Sequence, residues 1–196
     1  MKKLALPFLL FVFSSCSTIV WRPYQKDFDD YKKVERVTNR MLIHPSERIH
    51  GNNIADIVLE RNYSRKVDST IVFWKIISSE PKLPLDNKSY IRINNETFEL
   101  RNRSLKHSIS SETETYYSSI LLSDSTSIGS LYPKTKTRTK HYDMFITPLP
   151  NDVLQKLKSG DKVEIRVYFG NQPYTFKFRK NNLKRVKQLL SEEDKY

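Results

Sequence analysis

In the C-terminal third of the chain, apolar and polar positions alternate with a period of two. Val163, Ile165, Val167 and Phe169 are separated by Glu164, Arg166 and Tyr168, and Tyr174, Phe176 and Phe178 by Thr175 and Lys177. Such alternation specifies strands with one buried face, and Gly170-Asn171 between the two runs predicts a hairpin. Upstream, short runs rich in β-branched and aromatic residues predict strands over residues 41–43, 54–60, 70–77, 89–94 and 97–101. Asn94-Asn95 tolerates left-handed backbone and predicts a second hairpin over residues 90–100. Two stretches change period. Pro150-Asn151 opens a short helix over residues 152–158, with Gly160 where a C-cap belongs. Asn181 can cap a last helix in which Leu183, Val186, Leu189 and Leu190 form one apolar stripe and Lys184, Arg185 and Lys187 the wet face. Seven or more short strands with two small helices predict a mainly-β fold, an antiparallel β-sandwich with two short helices in its C-terminal third.

Two segments lack a core pattern. Residues 16–33 read as a tether rich in aromatics, in which Tyr24, Phe28 and Tyr31 fall at helical spacing and could form a turn or two of helix or dock on the domain. Residues 123–141, rich in Ser and Thr, read as a long mobile loop between strands at 116–122 and 142–148. This loop ends in a basic run. If extended, its Lys134, Lys136, Arg138 and Lys140 project to one side about 7 Å apart, a charge comb suited to anionic polymers or phosphate head groups. The plainer reading is a charged edge that blocks sheet-to-sheet aggregation.

Composition narrows the class. The chain has 196 residues, 38% hydrophobic, with 34 Lys+Arg against 22 Asp+Glu, four glycines and one cysteine. One globular domain of this size needs no disulfide or metal, and a single cysteine excludes a disulfide-stapled or Cys-ligated zinc scaffold. The sequence contains no Gly-x-Ser-x-Gly elbow, Walker loop, His-Glu-x-x-His or dinucleotide fingerprint, so no enzyme and no cofactor are expected. His44, Glu47 and His50 lie close enough in sequence to share a metal, but Pro45 and Ser46 make the segment a turn, and a solvated loop is the better reading. Asn62, Asn87, Asn95 and Asn102 each open an Asn-x-Ser/Thr triplet, read here as turn chemistry.

The N-terminus carries an address. Lys2 and Lys3 precede an unbroken apolar run from Leu4 to Phe13, followed by Ser14-Ser15, the layout of a secretory signal peptide. A spanning anchor wants about 20 apolar residues, and the polar positions Ser14, Ser15, Ser17 and Thr18 interrupt this one. Phe13-Ser14-Ser15-Cys16 resembles the lipobox of bacterial lipoproteins, with Phe13 where Leu is usual. The resemblance implies cleavage after residue 15 and a diacylglyceryl and acyl anchor on Cys16, which would hold the protein on a membrane for its lifetime. Ser17, rather than Asp, after the cysteine implies the outer membrane. With the strand pattern downstream, the layout resembles the small β-sandwich lipoproteins of Gram-negative envelopes.

The expected organisation is a signal peptide over 1–15, a lipidated N-terminus and tether over 16–33 and a single sandwich domain over 34–196. Cleavage takes Lys2 and Lys3 from the cations and no anion, so the net charge falls from +12 to about +10. Export removes nucleic acid as the partner for this charge. The expected function is that of a non-enzymatic envelope binding or scaffold module. The alternative is a surface adhesin that binds anionic glycans, lipopolysaccharide or host polymers through Lys134, Lys136, Arg138 and Lys140.

Overall fold

The structure, a computed structural model, describes residues 24–47, 53–119 and 131–193. Two antiparallel sheets pack into a mainly-β sandwich, as the alternating pattern predicts. The larger sheet has six strands in the order β1-β2-β3-β4-β8-β7: β1 (Tyr24–Asp29), β2 (Val34–Ile43), β3 (Asn53–Tyr63), β4 (Asp68–Ser78), β7 (Arg103–Ser119) and β8 (Leu131–Leu149). The smaller has four in the order β10-β9-β5-β6: β5 (Leu85–Ile93), β6 (Glu96–Arg101), β9 (Val163–Phe169) and β10 (Gln172–Lys177). Helices α1 (Asn151–Ser159) and α2 (Lys180–Ser191) complete the core.

Every second residue of the central strands points inward. Met41, Ile57, Val72, Trp74 and Phe145 from the large sheet meet Ile91, Ile165, Phe169 and Phe176 from the small one in a single buried cluster. Trp74 lies parallel to Phe145 at 5.3 Å between ring centroids and tilts against Phe176 at 5.6 Å. The predicted stripe of α2 is buried as read, through Leu183, Val186, Leu189 and Leu190. The chain crosses from the small sheet to the large one at Asn102, whose side-chain oxygen accepts hydrogen bonds from Ser89 and Thr147 while Thr147 accepts one from the Trp74 indole. These polar groups are buried and satisfy one another, which fixes the crossing point between sheets.

Both predicted hairpins form. Asn94 adopts a left-handed φ of 54° and its side chain accepts hydrogen bonds from the amides of Asp161 and Lys162, tying the β5–β6 turn to the segment after α1. Gly170 turns β9 into β10 at φ 57°. Gly160 closes α1 for a different reason: its backbone is extended, and a Cβ there would lie 2.4 Å from Ile93 Cγ2, so the position demands a missing side chain rather than a left-handed turn.

Several local expectations are corrected. Tyr24 and Phe28 belong to a strand, not a helix, because β1 pairs along β2 from Tyr24↔Asn39 to Asp29↔Val34. Asn181 lies inside α2, whose N-cap is Arg179 without a side-chain hydrogen bond. Asn62 and Asn87 sit in strands rather than turns. The largest difference is in the basic segment, read as loop, which from Leu131 onward is the first half of β8 paired with β7.

Candidate functional site: a projecting cationic ribbon and the polar cluster at its root

The register defines two ends of the sandwich. The turns after β1 (30–33) and after β3 (64–67) share one end, since Asp29 pairs with Val34 and Tyr63 with Asp68. At the opposite end Ser78 of β4 pairs with His141 of β8, and there β4 stops. β8 does not. Its residues from Leu131 to Lys140 pair with Ser119 to Ser110 of β7 and, among the described residues, with no other strand, so a two-stranded ribbon projects roughly 30 Å beyond the body.

Its two faces differ. On one, Lys134, Lys136, Arg138 and Lys140 stand in a row at alternate positions and face Tyr116, Glu114, Glu112 and Ser110 across the ladder. The extended comb foreseen for these four cations is present, but two carboxylates stand among them, and Lys140 makes an ion pair of 3.4 Å with Glu112. On the other face Thr135, Thr137 and Thr139 oppose Thr115, Thr113 and Ser111, with hydroxyl contacts of 3.3 Å at the last two pairs. Tyr116 and Tyr117 are exposed near the far end of the described ribbon.

The root of the ribbon holds a polar cluster that the sequence reading passed over. His141 and Asp143 point inward from β8 and are buried, the Nδ1–H of His107 on β7 donates to Asp143 Oδ1 at 2.7 Å, and the His107 ring lies 5.7 Å from that of His141. Lys82, from the segment between β4 and β5, places its ammonium 4.9 Å from the Phe169 ring and 5.0 Å from the Tyr174 ring. Lys82 Nζ, His141 Nδ1 and Asp143 Oδ2 are buried without hydrogen-bond partners among the described residues. Burial pushes the Lys82 amine down to about 8, against the pull of the Asp143 carboxylate. A cavity of about 380 Å³ opens beside them, walled by Leu83, Leu85, Leu105 and Met144. The only advance signal was His107 and His141, which the register brings together from positions 34 residues apart. No spacing rule connects two histidines across a ladder of that length.

The remaining sequence candidates scatter. Cys16 and the signal segment lie outside the described residues, as does His50. Glu47 accepts a 2.7 Å hydrogen bond from the Thr175 amide. Its burial is outweighed by bonds from Thr175, which hold the carboxyl below its ordinary range, so it serves to fasten the chain after β2 to β10. Among the described residues no group of three or more His, Cys, Asp or Glu is placed to hold a metal ion. No described helix is long and apolar enough to cross a membrane. Compared with known proteins, the chain matches no family model, no curated protein and no solved structure.

Proposed function

We propose that the protein is a non-enzymatic, lipid-anchored module of the bacterial cell envelope, attached to the outer membrane through Cys16, that works by contact with other envelope components. The ribbon of β7 and β8 carries this reading. An isolated two-stranded hairpin has little stability of its own in water, and ordering each of its residues costs roughly 1–2 kcal/mol of backbone entropy. A chain that extends such an element away from its core, with both faces exposed, has built a device for reaching rather than for packing. The signal segment and Cys16 supply the other half of the reading, an attachment point from which to reach.

The anchor is tested by fractionation. Wild-type protein is expected in the membrane pellet with diacylglyceryl and acyl mass on the peptide that begins at Cys16, and Cys16→Ala in the soluble fraction or retained as the uncleaved precursor. A wild-type chain without lipid mass, together with a Cys16→Ala protein still fully processed and membrane-bound, sinks it. The second reading, an adhesin for anionic glycans or lipopolysaccharide, uses Lys134, Lys136, Arg138 and Lys140. Its mark is retention on heparin that falls steeply with salt and vanishes when all four become Ser.

A further inference from the structure

The direction in which the chain enters the sandwich limits where an anchor can lie. β1 runs toward the turn end, because Asp29, not Tyr24, pairs beside the 30–33 turn. The end of β1 to which residues 16–23 are joined therefore lies toward the ribbon. Through Asn39, Leu59 and Val72, Tyr24 stands level with Thr147 of β8, roughly 20 Å short of His141 where the body stops. From Cys16 to Tyr24 the chain spans at most about 28 Å. Fully extended, it ends at the height of Lys140 and Arg138, set to the side of them by the four strand spacings, about 19 Å, that separate β1 from β8. A membrane that runs parallel to the strands and holds Cys16 brings the cationic row of the ribbon to its surface.

Resting on the lipid-anchored reading, we propose that the face carrying Lys134, Lys136, Arg138 and Lys140 is a seat for anionic lipid head groups, on which the ribbon lies along the membrane. The charge has the right size for this and the wrong size for capture from solution. Four cations against Glu112 and Glu114 leave two net charges on the face, worth roughly a thirtyfold preference for the seated orientation. That is too little to recruit a free protein, but tethering has already raised the local lipid concentration, and the preference only has to choose an orientation. Tyr116, exposed on the same face opposite Lys134, has the amphipathic ring that favours the head-group layer. The opposite face, with its rows of Thr and Ser, carries no charge to compete.

The experiment uses the lipidated chain in vesicles. With the Cys16 sulfur held in its thioether to the diacylglyceryl group, no other native thiol exists, so a nitroxide placed by Tyr116→Cys or, on the other face, by Thr113→Cys labels one site. In phosphatidylcholine vesicles containing phosphatidylglycerol, the label at 116 is expected to be about tenfold less accessible to an aqueous nickel complex than the label at 113. The difference is expected to collapse in pure phosphatidylcholine and in the variant with the four cations changed to Ser, and to grow in Glu112→Gln/Glu114→Gln. Equal accessibility of the two labels in every vesicle overturns the proposal, as does protection that survives loss of the four cations. If vesicles leave the 116 label unprotected while soluble heparin or lipopolysaccharide protects it, the face serves a polymer and the lipid seat is refuted. The anchor is read separately, by mass on the Cys16 peptide: lipidated protein without the 116/113 difference keeps the anchor and loses the seat, whereas a chain without lipid mass loses both, because two net charges do not hold a free protein on the surface.

Discussion

Asn39 and Lys82 show at the residue scale what this core tolerates. Asn39 is fully buried on the inner face of β2, and both atoms of its amide lack a hydrogen-bond partner among the described residues. An unsatisfied buried amide costs roughly 1–3 kcal/mol, so Asn39→Leu is expected to raise stability in urea unfolding by about 1–2 kcal/mol. A loss there would mean that the amide has work the fold alone does not show. Lys82 carries its proton less readily in the fold, down to about 8, than a free lysine at 10.5. The unfolded chain thus binds more protons in that window, and stability rises with pH between about 8 and 10.5. The penalty is present in full below pH 8, where Lys82 is charged in a cluster faced by Asp143, His107, His141 and Tyr174. Lys82→Met is expected to melt above wild type at pH 7, with the gap closing toward pH 10.5; a gap independent of pH would assign the effect to packing instead.

At the scale of elements, the sequence announced strands through alternation but could not announce what lies at their ends. α2 has no basic residue in its own last turn. Its C-terminal carbonyls are served instead by Arg61 of β3, whose Nη1 donates to Leu189, Leu190 and Glu192 at 3.2, 3.0 and 2.9 Å while Nε and Nη2 grip Asp68 at 2.8 and 2.9 Å. A guanidinium is suited to this, with five donors in a rigid fork. Arg61→Met strands three carbonyls and a carboxylate, and an expected loss of about 2–4 kcal/mol is checked by denaturant unfolding. The ribbon is the contrary case. Its Thr-Lys-Thr-Arg-Thr-Lys alternation has period two, yet neither phase is apolar, and strand reading keys on a buried face. The structure shows a ladder whose two faces are both wet. Excising 110–140 and joining Ile109 to His141 through Asn-Gly is expected to leave the melting temperature of the sandwich within a few degrees of wild type. A collapse of the fold would show the ribbon to be part of the core's stability.

Across the whole molecule, the sandwich and its C-terminal third were legible because burial imposes a repeating constraint that each residue reports locally. The polar cluster at the ribbon's root was not. Lys82, His107, His141 and Asp143 come from three elements, and only the β7–β8 register and the crossing at Asn102 assemble them. The aromatic tether was half legible: its rings do dock, but as strand β1. There Tyr24 donates to Glu192 Oε1 at 2.7 Å, and Lys26 lies 2.5 Å from Glu35 and 3.1 Å from Glu192. Burial lowers the hold of Lys26 on its proton, but its bonds to Glu35, Tyr63 and Glu192 more than restore it, keeping it charged through the alkaline range. Glu192→Ala is expected to speed amide exchange in β1 well before it changes exchange in β3 and β4; uniform loss of protection would contradict a local pin.

That pin joins residues 168 positions apart, which has a consequence for the order in which the protein is finished. A chain made N-terminus first presents β1 early and the end of α2 late. β1 can lie against β2 at once, but Glu192, which holds both Tyr24 and Lys26, arrives only once α2 has been made, and so does the helix end that Arg61 waits to cap. Until then the edge of the large sheet is held by its ladder and by the Lys26–Glu35 ion pair. A chain cut short before Glu192 is therefore expected to hold β1 more loosely than β3 and β4, read as faster amide exchange in β1.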